Sequence, residues 1–271
     1  MAGKKKNGFI SQSFARRLNS MLAVDSRRMF TAPLLYVLAG IALVMPILIL
    51  VMTTMTAGTT VVDPNTGVET TREAFSSVWQ DIASESGAGS SGGMDMSSMC
   101  NINLMYFMTG VFVCLFTAED FRSGYAKNLF TVRARKGDYV VSKTVMGFLA
   151  GAIFLICFFL GTLLGGAFAG LPFALGAAGF FGVVMCMLAK IFLMAVFVAI
   201  FLLMSVFAKQ RSWLSICLSL FGGMLLFMMV PMLTPLDSGI GNVGMCLIGG
   251  VLFAAALGVL SKMLLAKQDF V

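Results

Sequence analysis

Few residues in this 271-residue sequence could do chemistry, and their placement matters more than their number. There is no histidine, so the commonest general acid–base group is missing. No Gly-x-x-x-x-Gly-Lys-Ser/Thr loop is present to cradle a nucleotide phosphate. No apolar run holds the paired carboxylates of a proton or sodium relay. The longest polar interruption runs from Glu119 to Lys143 and carries six of the nineteen Lys and Arg. Within it Tyr125, Leu129 and Val132 recur at four and three residues, which places them on one face of a short helix. Lys127, Asn128, Arg133, Arg135 and Lys136 surround that face, and Gly124 is placed to end the helix before it. Such a segment suits docking by another protein, or attachment to lipid headgroups. Spacing alone leaves both open.

Lys190 is the single charge between residues 144 and 208; it either snorkels to headgroups or lines a buried cavity. Met94, Met96, Met99 and Cys100 bring soft sulfur ligands together in a pattern that suits Cu(I), although 22 methionines make one dense window unsurprising. The six cysteines form no Cys-x-x-Cys pair and read as small buried hydrophobes rather than a disulfide framework. The net charge of +7 would suggest nucleic acid in a soluble protein. Without aromatic–basic interleaving, anionic lipid is the better explanation, and nucleic-acid binding is not expected.

The elements that hold these residues follow from composition. The chain is 59% hydrophobic and 11% charged, far from a soluble domain, and its apolar runs are long rather than alternating. The expectation is an all-α integral membrane protein: an N-terminal amphipathic elbow helix, then six transmembrane helices with both termini cytoplasmic. Residues 1–32 form the elbow segment, with Phe14, Leu18, Met21, Leu22 and Met29 on one face and Arg16, Arg17, Asn19, Arg27 and Arg28 on the other. Residues 33–271 form the membrane domain, with spans at about 33–53, 102–118, 144–168, 189–208, 212–232 and 243–261. Pro46 is expected to kink the first span. Loop 54–100, with six acids and one base, belongs outside; residues 68–85 suggest a short helix bearing Phe75, Val78, Trp79 and Ile82, as a lid or docked on the membrane. Gly170-Leu-Pro172 breaks the chain after the third span, and the surplus at 172–189 reads as a re-entrant or interfacial helix. Seventeen of the nineteen Lys and Arg then fall on one side, the cytoplasmic one.

Asp120-x-x-x-Gly124-x-x-Lys127-x-Leu129, followed by Arg135, Tyr139 and Ser142-Lys143, resembles the first cytoplasmic loop of ABC-2 type transporter permeases. Leu22-x-x-Asp25-x-Arg27-Arg28-x-Phe30-Thr31-x-Pro33 is similar to the elbow before their first span. Family members usually carry Glu where Asp120 stands, and a proline shortly before the arginine, where this chain has Thr131-Val132-Arg133-Ala134. The resemblance implies a permease subunit of an exporter in a bacterial plasma membrane, itself binding no cofactor and hydrolysing no ATP. Two separate ABC ATPase subunits per complex would hold the ATP and Mg2+, and a second permease, identical or related, would complete the pore. The segment holding Gly124, Tyr125, Lys127, Leu129, Val132, Arg133 and Arg135 would be the coupling helix. The cargo path would run along the second and fifth spans, past Met105, Met108, Phe112, Phe221, Met224, Phe227 and Met228, with Lys190 a further candidate. A peptide, lantibiotic-like antimicrobial, drug or lipid-like cargo fits such Met- and Phe-rich walls. The alternative is a non-transport anchor or sensor of the same fold.

Overall fold

A computed structural model describes residues 14–62, 69–71, 75, 77–83, 101–132, 136–175, 179–208, 211–227 and 229–267. Its elements are α1 (Phe14–Thr31), α2 (Pro33–Thr56), strands β1 (Thr60–Val62) and β2 (Glu69–Thr71), α3 (Gln80–Ala83), α4 (Leu104–Arg122), α5 (Tyr125–Val132), α6 (Lys136–Ala169), α7 (Gly179–Ala208), α8 (Ser212–Phe227), α9 (Val230–Leu233) and α10 (Ile240–Lys267). The fold is a helical bundle. The all-α expectation is amended by one antiparallel hairpin, β1 with β2, pairing Thr60 with Thr71 and Val62 with Glu69. Strand β2 falls within the helix expected at 68–85, and among the described residues of that stretch α3 is the helical part.

Five helices among the described residues are long and apolar enough to cross a membrane: α2, α4, α6, α7 and α10. The stretch expected as the fifth span is divided into α8, 16 residues, and α9; at 1.5 Å per residue α8 alone reaches about 24 Å, short of a hydrocarbon core. α6 has 34 residues and α7 has 30, roughly 51 and 45 Å, so both project beyond a bilayer. This overturns the separate re-entrant helix at 172–189. After a break at Gly170, whose φ is +67°, the chain re-enters at Gly179 and runs as one helix to Ala208.

α4 is the inner helix and packs against α6, α7 and α8, while α2 lies along α6 and α10 along α7. Two of these seams need glycine. A Cβ at Gly165 of α6 would stand 2.8 Å from Ile47 Cα, and one at Gly161 would collide with the Leu43 carbonyl, so α2 passes backbone to backbone. Gly250 of α10 meets the Phe192 carbonyl of α7 in the same way. α2 continues helically through Pro46, which is buried against Gly161. Tyr106 of α4 stacks on Phe197 of α7 at 4.4 Å, and Phe112 meets Phe154 of α6 edge-on at 5.9 Å. α1, the end of α4, α5 and the start of α6 gather at one end of the bundle. α10 finishes there too, where the Lys136 ammonium donates to the Leu265 carbonyl at 2.6 Å. We call this the basic end and the opposite one the far end.

Candidate functional site

At the basic end, two motifs about a hundred residues apart meet as a closed clasp of four charges. Asp25 and Arg28 lie on α1, Asp120 on α4 and Lys143 on α6. The Arg28 guanidinium donates to Asp120 at 2.6 Å; the Lys143 ammonium lies 2.7 Å from Asp120 and donates to Asp25 at 2.9 Å; Arg28 closes the circuit 4.0 Å from Asp25. Asp25 and Asp120 are fully buried, and Lys143 nearly so. Their remaining acceptor positions are filled: Ser142 donates to Asp25 at 2.6 Å and Tyr139 to Asp120 at 3.0 Å. Two cations balance two anions, which is what makes such burial tolerable. Burial pushes the Arg28 pKa down, but the Asp120 carboxylate beside it, its hydrogen bond and Asp25 together prevail and hold it above its ordinary value.

The clasp redraws α1. Its buried face is Met21, Asp25 and Met29, four residues apart. Arg28, expected on a solvent-facing polar stripe, instead points into the bundle, and Arg17 reaches Asp138 of α6 at 3.0 Å. Phe14, Val24 and Phe30 remain exposed on the outer side.

α5 follows directly. Gly124 takes φ +73°, the left-handed conformation that ends α4 and turns the chain. Ala126 is buried, and Leu129 and Phe130 pack inward against the bundle core. Phe130 meets Tyr139 edge-on at 5.4 Å, and Tyr125 carries the Arg28 guanidinium 4.4 Å above its ring. Lys127, Asn128 and Thr131 face away from the protein. The apolar face expected to greet a partner is thus spent on the chain's own bundle at Tyr125 and Leu129, and the free face is polar. Arg133 and Arg135 lie outside the described residues, as does the side chain of Val132.

At the far end, Lys190 is fully buried rather than snorkelling at headgroups. Its ammonium donates to Asn103 Oδ1 at 3.0 Å and to Thr234 Oγ1 at 2.9 Å, and its carbonyl accepts the Tyr106 hydroxyl at 2.9 Å. No carboxylate among the described residues pairs with it. It joins the start of α4, α7 and the end of α9.

Comparison with protein-family models matches residues 31–226 to the ABC-2 family transporter protein model. The chain belongs to the ABC-2 transporter family. A comparison with curated proteins gives no match, and a comparison with solved structures gives none. Membership makes it a multi-pass membrane protein of a transport family whose membrane subunits work with ABC ATPases.

Within this ABC-2 chain the residues expected along the cargo path divide. Met105 and Phe112 are fully buried between helices of the same subunit, and Met108 is half-buried. Phe227 is half-buried against Phe107, ring centroids 4.9 Å apart. Phe221 and Met224 project from α8, 71% and 57% exposed, free to meet lipid or another subunit. Met228 and the Met94–Cys100 cluster lie outside the described residues. Asp25, Arg28, Asp120, Tyr139 and Lys143 stand in two separate sequence motifs, and nothing in either motif joins it to the other. The available signal was weak: Asp25 is the one acid in the basic segment 1–32, but Asp120 shares the segment 119–143 with Glu119 and Asp138.

Proposed function

We propose that this ABC-2 subunit is the permease of an exporter driven by a separate ATPase, and that α5 is the helix the ATPase grips. One observation carries the reading: α5 presents a polar stripe of Lys127, Asn128 and Thr131 while its opposite face is locked to the bundle by the Arg28–Tyr125 and Phe130–Tyr139 contacts. A push on the stripe passes through rigid contacts into α1 and α6 rather than bending a loose loop. The partner groove that fits this stripe is acidic.

In this reading the basic end is cytoplasmic, as the positive-inside bias requires, and α8 with α9 completes a sixth span. Two permease subunits and two ATPase chains make the working unit, with ATP and Mg2+ held by the ATPase. Phe221 and Met224 face the second permease, and an apolar cargo such as a peptide, drug or lipid-like molecule moves outward between the two.

The test is purification of the tagged chain from its native membranes, with mass spectrometry of what comes with it. The parent is expected to bring an ABC ATPase in equal amount. Lys127→Glu with Asn128→Asp should lose it while thermal unfolding of the permease stays unchanged. Leu129→Asp is the poorer probe, because Leu129 packs inward and its change disturbs the subunit itself. Absence of an ATPase from the parent, or equal recovery with the double variant, refutes the reading. Cargo-stimulated hydrolysis in the reconstituted complex then separates export from sensing.

A further inference from the structure

Segment 77–83 is seated on the far end of the bundle by apolar contacts. Val78 is fully buried with Leu50 of α2 and Leu171, against the bare backbone of Gly166. Trp79 stacks on Phe159 at 6.5 Å and meets Phe173 edge-on at 6.3 Å. Ile82 is fully buried. Two backbone bonds pin the segment: the Val78 N–H donates to the Pro172 carbonyl, and the Ile102 N–H to the Asp81 carbonyl, each at 3.3 Å.

In this apolar seat lies a carboxyl group. Asp81 is 2% exposed. Its Oδ2 accepts a long bond of 3.5 Å from the Thr162 hydroxyl, which also serves the Phe158 carbonyl at 3.0 Å. Its Oδ1 is buried and has no hydrogen-bond partner among the described residues. Among the described residues, the groups packed around the segment are Leu50 from α2, Phe159, Thr162, Gly166 and Ala169 from α6, Leu171, Pro172 and Phe173 from the connection after it, Phe75 before it, and Ile102 before α4. None of them titrates, and none carries charge. Lys190 of α7 directs its ammonium to Asn103 and Thr234 instead. Among the described residues a carboxylate here has no counter-charge and one unmet acceptor, whereas a neutral carboxylic acid fits.

We propose that segment 77–83 is a protonation-controlled latch, seated across α2 and α6 while Asp81 is uncharged and lifting off when Asp81 ionises in water. Burial pushes the Asp81 carboxyl up to about 8, and the Thr162 hydrogen bond pulls the other way. A free aspartate titrates near 3.9, so the seated form holds its proton more tightly than the lifted one. Seating is therefore strongest below about pH 4, weakens by up to about tenfold per unit as pH rises, and levels off above about pH 8. Lifting uncovers the seam at Thr162 and Gly166. The latch stands independently of the exporter reading, since it needs only the folded chain.

Trp79 is a built-in reporter. The other tryptophan, Trp213, is 75% exposed on α8, so Trp213→Phe leaves Trp79 as the single emitter. The full chain in detergent is titrated between about pH 5 and about pH 9, following emission maximum and acrylamide quenching. The expected result is protected, blue-shifted emission at low pH, then a red shift and a several-fold rise in quenching as pH climbs toward about 8. Asp81→Asn should stay protected throughout. Thr162→Val should move the midpoint to lower pH, because it removes the bond that holds the charged form in the seat. Emission that ignores pH in the parent overturns the latch. So does an Asp81→Asn variant that titrates like the parent, or a Thr162→Val midpoint that rises.

Discussion

Replacing Lys143 with methionine tests whether the clasp is a linked unit. The substitution keeps length and apolar stem but removes the cation that bonds Asp25 at 2.9 Å and lies 2.7 Å from Asp120. Asp120 keeps Arg28 and Tyr139. Asp25 keeps Ser142 and the distant Arg28 at 4.0 Å, so a fully buried carboxylate loses its near counter-ion. Removing one partner of a buried pair typically costs about 3–5 kcal/mol, and Lys143→Met should lose that much near neutral pH. The sign of the pH response follows. Acid conditions that neutralise the unpaired negative charge relieve the variant, so the deficit against the parent should shrink as pH falls from about 7 to about 5. Asp25→Asn added to Lys143→Met removes the orphan and should recover about 0.5–3 kcal/mol relative to additivity. Denaturant unfolding in mixed micelles, followed by circular dichroism at several pH values, measures all three. A Lys143→Met cost below about 1 kcal/mol, a deficit flat with pH, or strict additivity in the double variant would refute the reasoning.

Two further outcomes follow from packing. Gly165→Leu forces a side chain into the α2 backbone at Ile47; overpacking of this kind costs about 1–3 kcal/mol or more, and the variant should melt lower and be cleaved faster between α2 and α6 by added protease. Asn103→Leu leaves the buried Lys190 ammonium with Thr234 as its one side-chain acceptor and should cost about 1–3 kcal/mol in unfolding free energy; a neutral result would mean that water enters the site.

What the sequence made legible was set by local rules. Long apolar runs between basic interruptions located the helices, and Gly124 and Gly170 marked breaks that the backbone realises with positive φ. Counting about twenty residues per span failed where helices outrun the bilayer, as α6 and α7 do, and that is how residues 179–189 came to look like a separate element. The clasp was illegible for another reason. Asp25 looks like a stray acid in a basic tail until α4 and α6 stand beside it, and no period or spacing spans that distance. Lys190 was equally opaque: one lysine in an apolar run gives no hint that Asn103 and Thr234 come to meet it. On α5 the 3.6-residue pattern was readable, but a pattern tells which residues share a face and not which neighbour that face prefers.

The clasp also sets an order of events during synthesis. Arg28 waits for Asp120, 92 residues later, and Asp25 waits for Lys143, 118 residues later. At a translation rate of roughly 5–20 residues per second, the second interval lasts about 6–24 s. For that time α1 has left the ribosome with an acid and a base but without the partners that neutralise them in apolar surroundings, so it stays where headgroups and water can solvate it. Only when α6 emerges can the elbow be drawn against the bundle, so a chain stalled before Ser142 and Lys143 carries an elbow without the partners that Asp25 has in the finished fold.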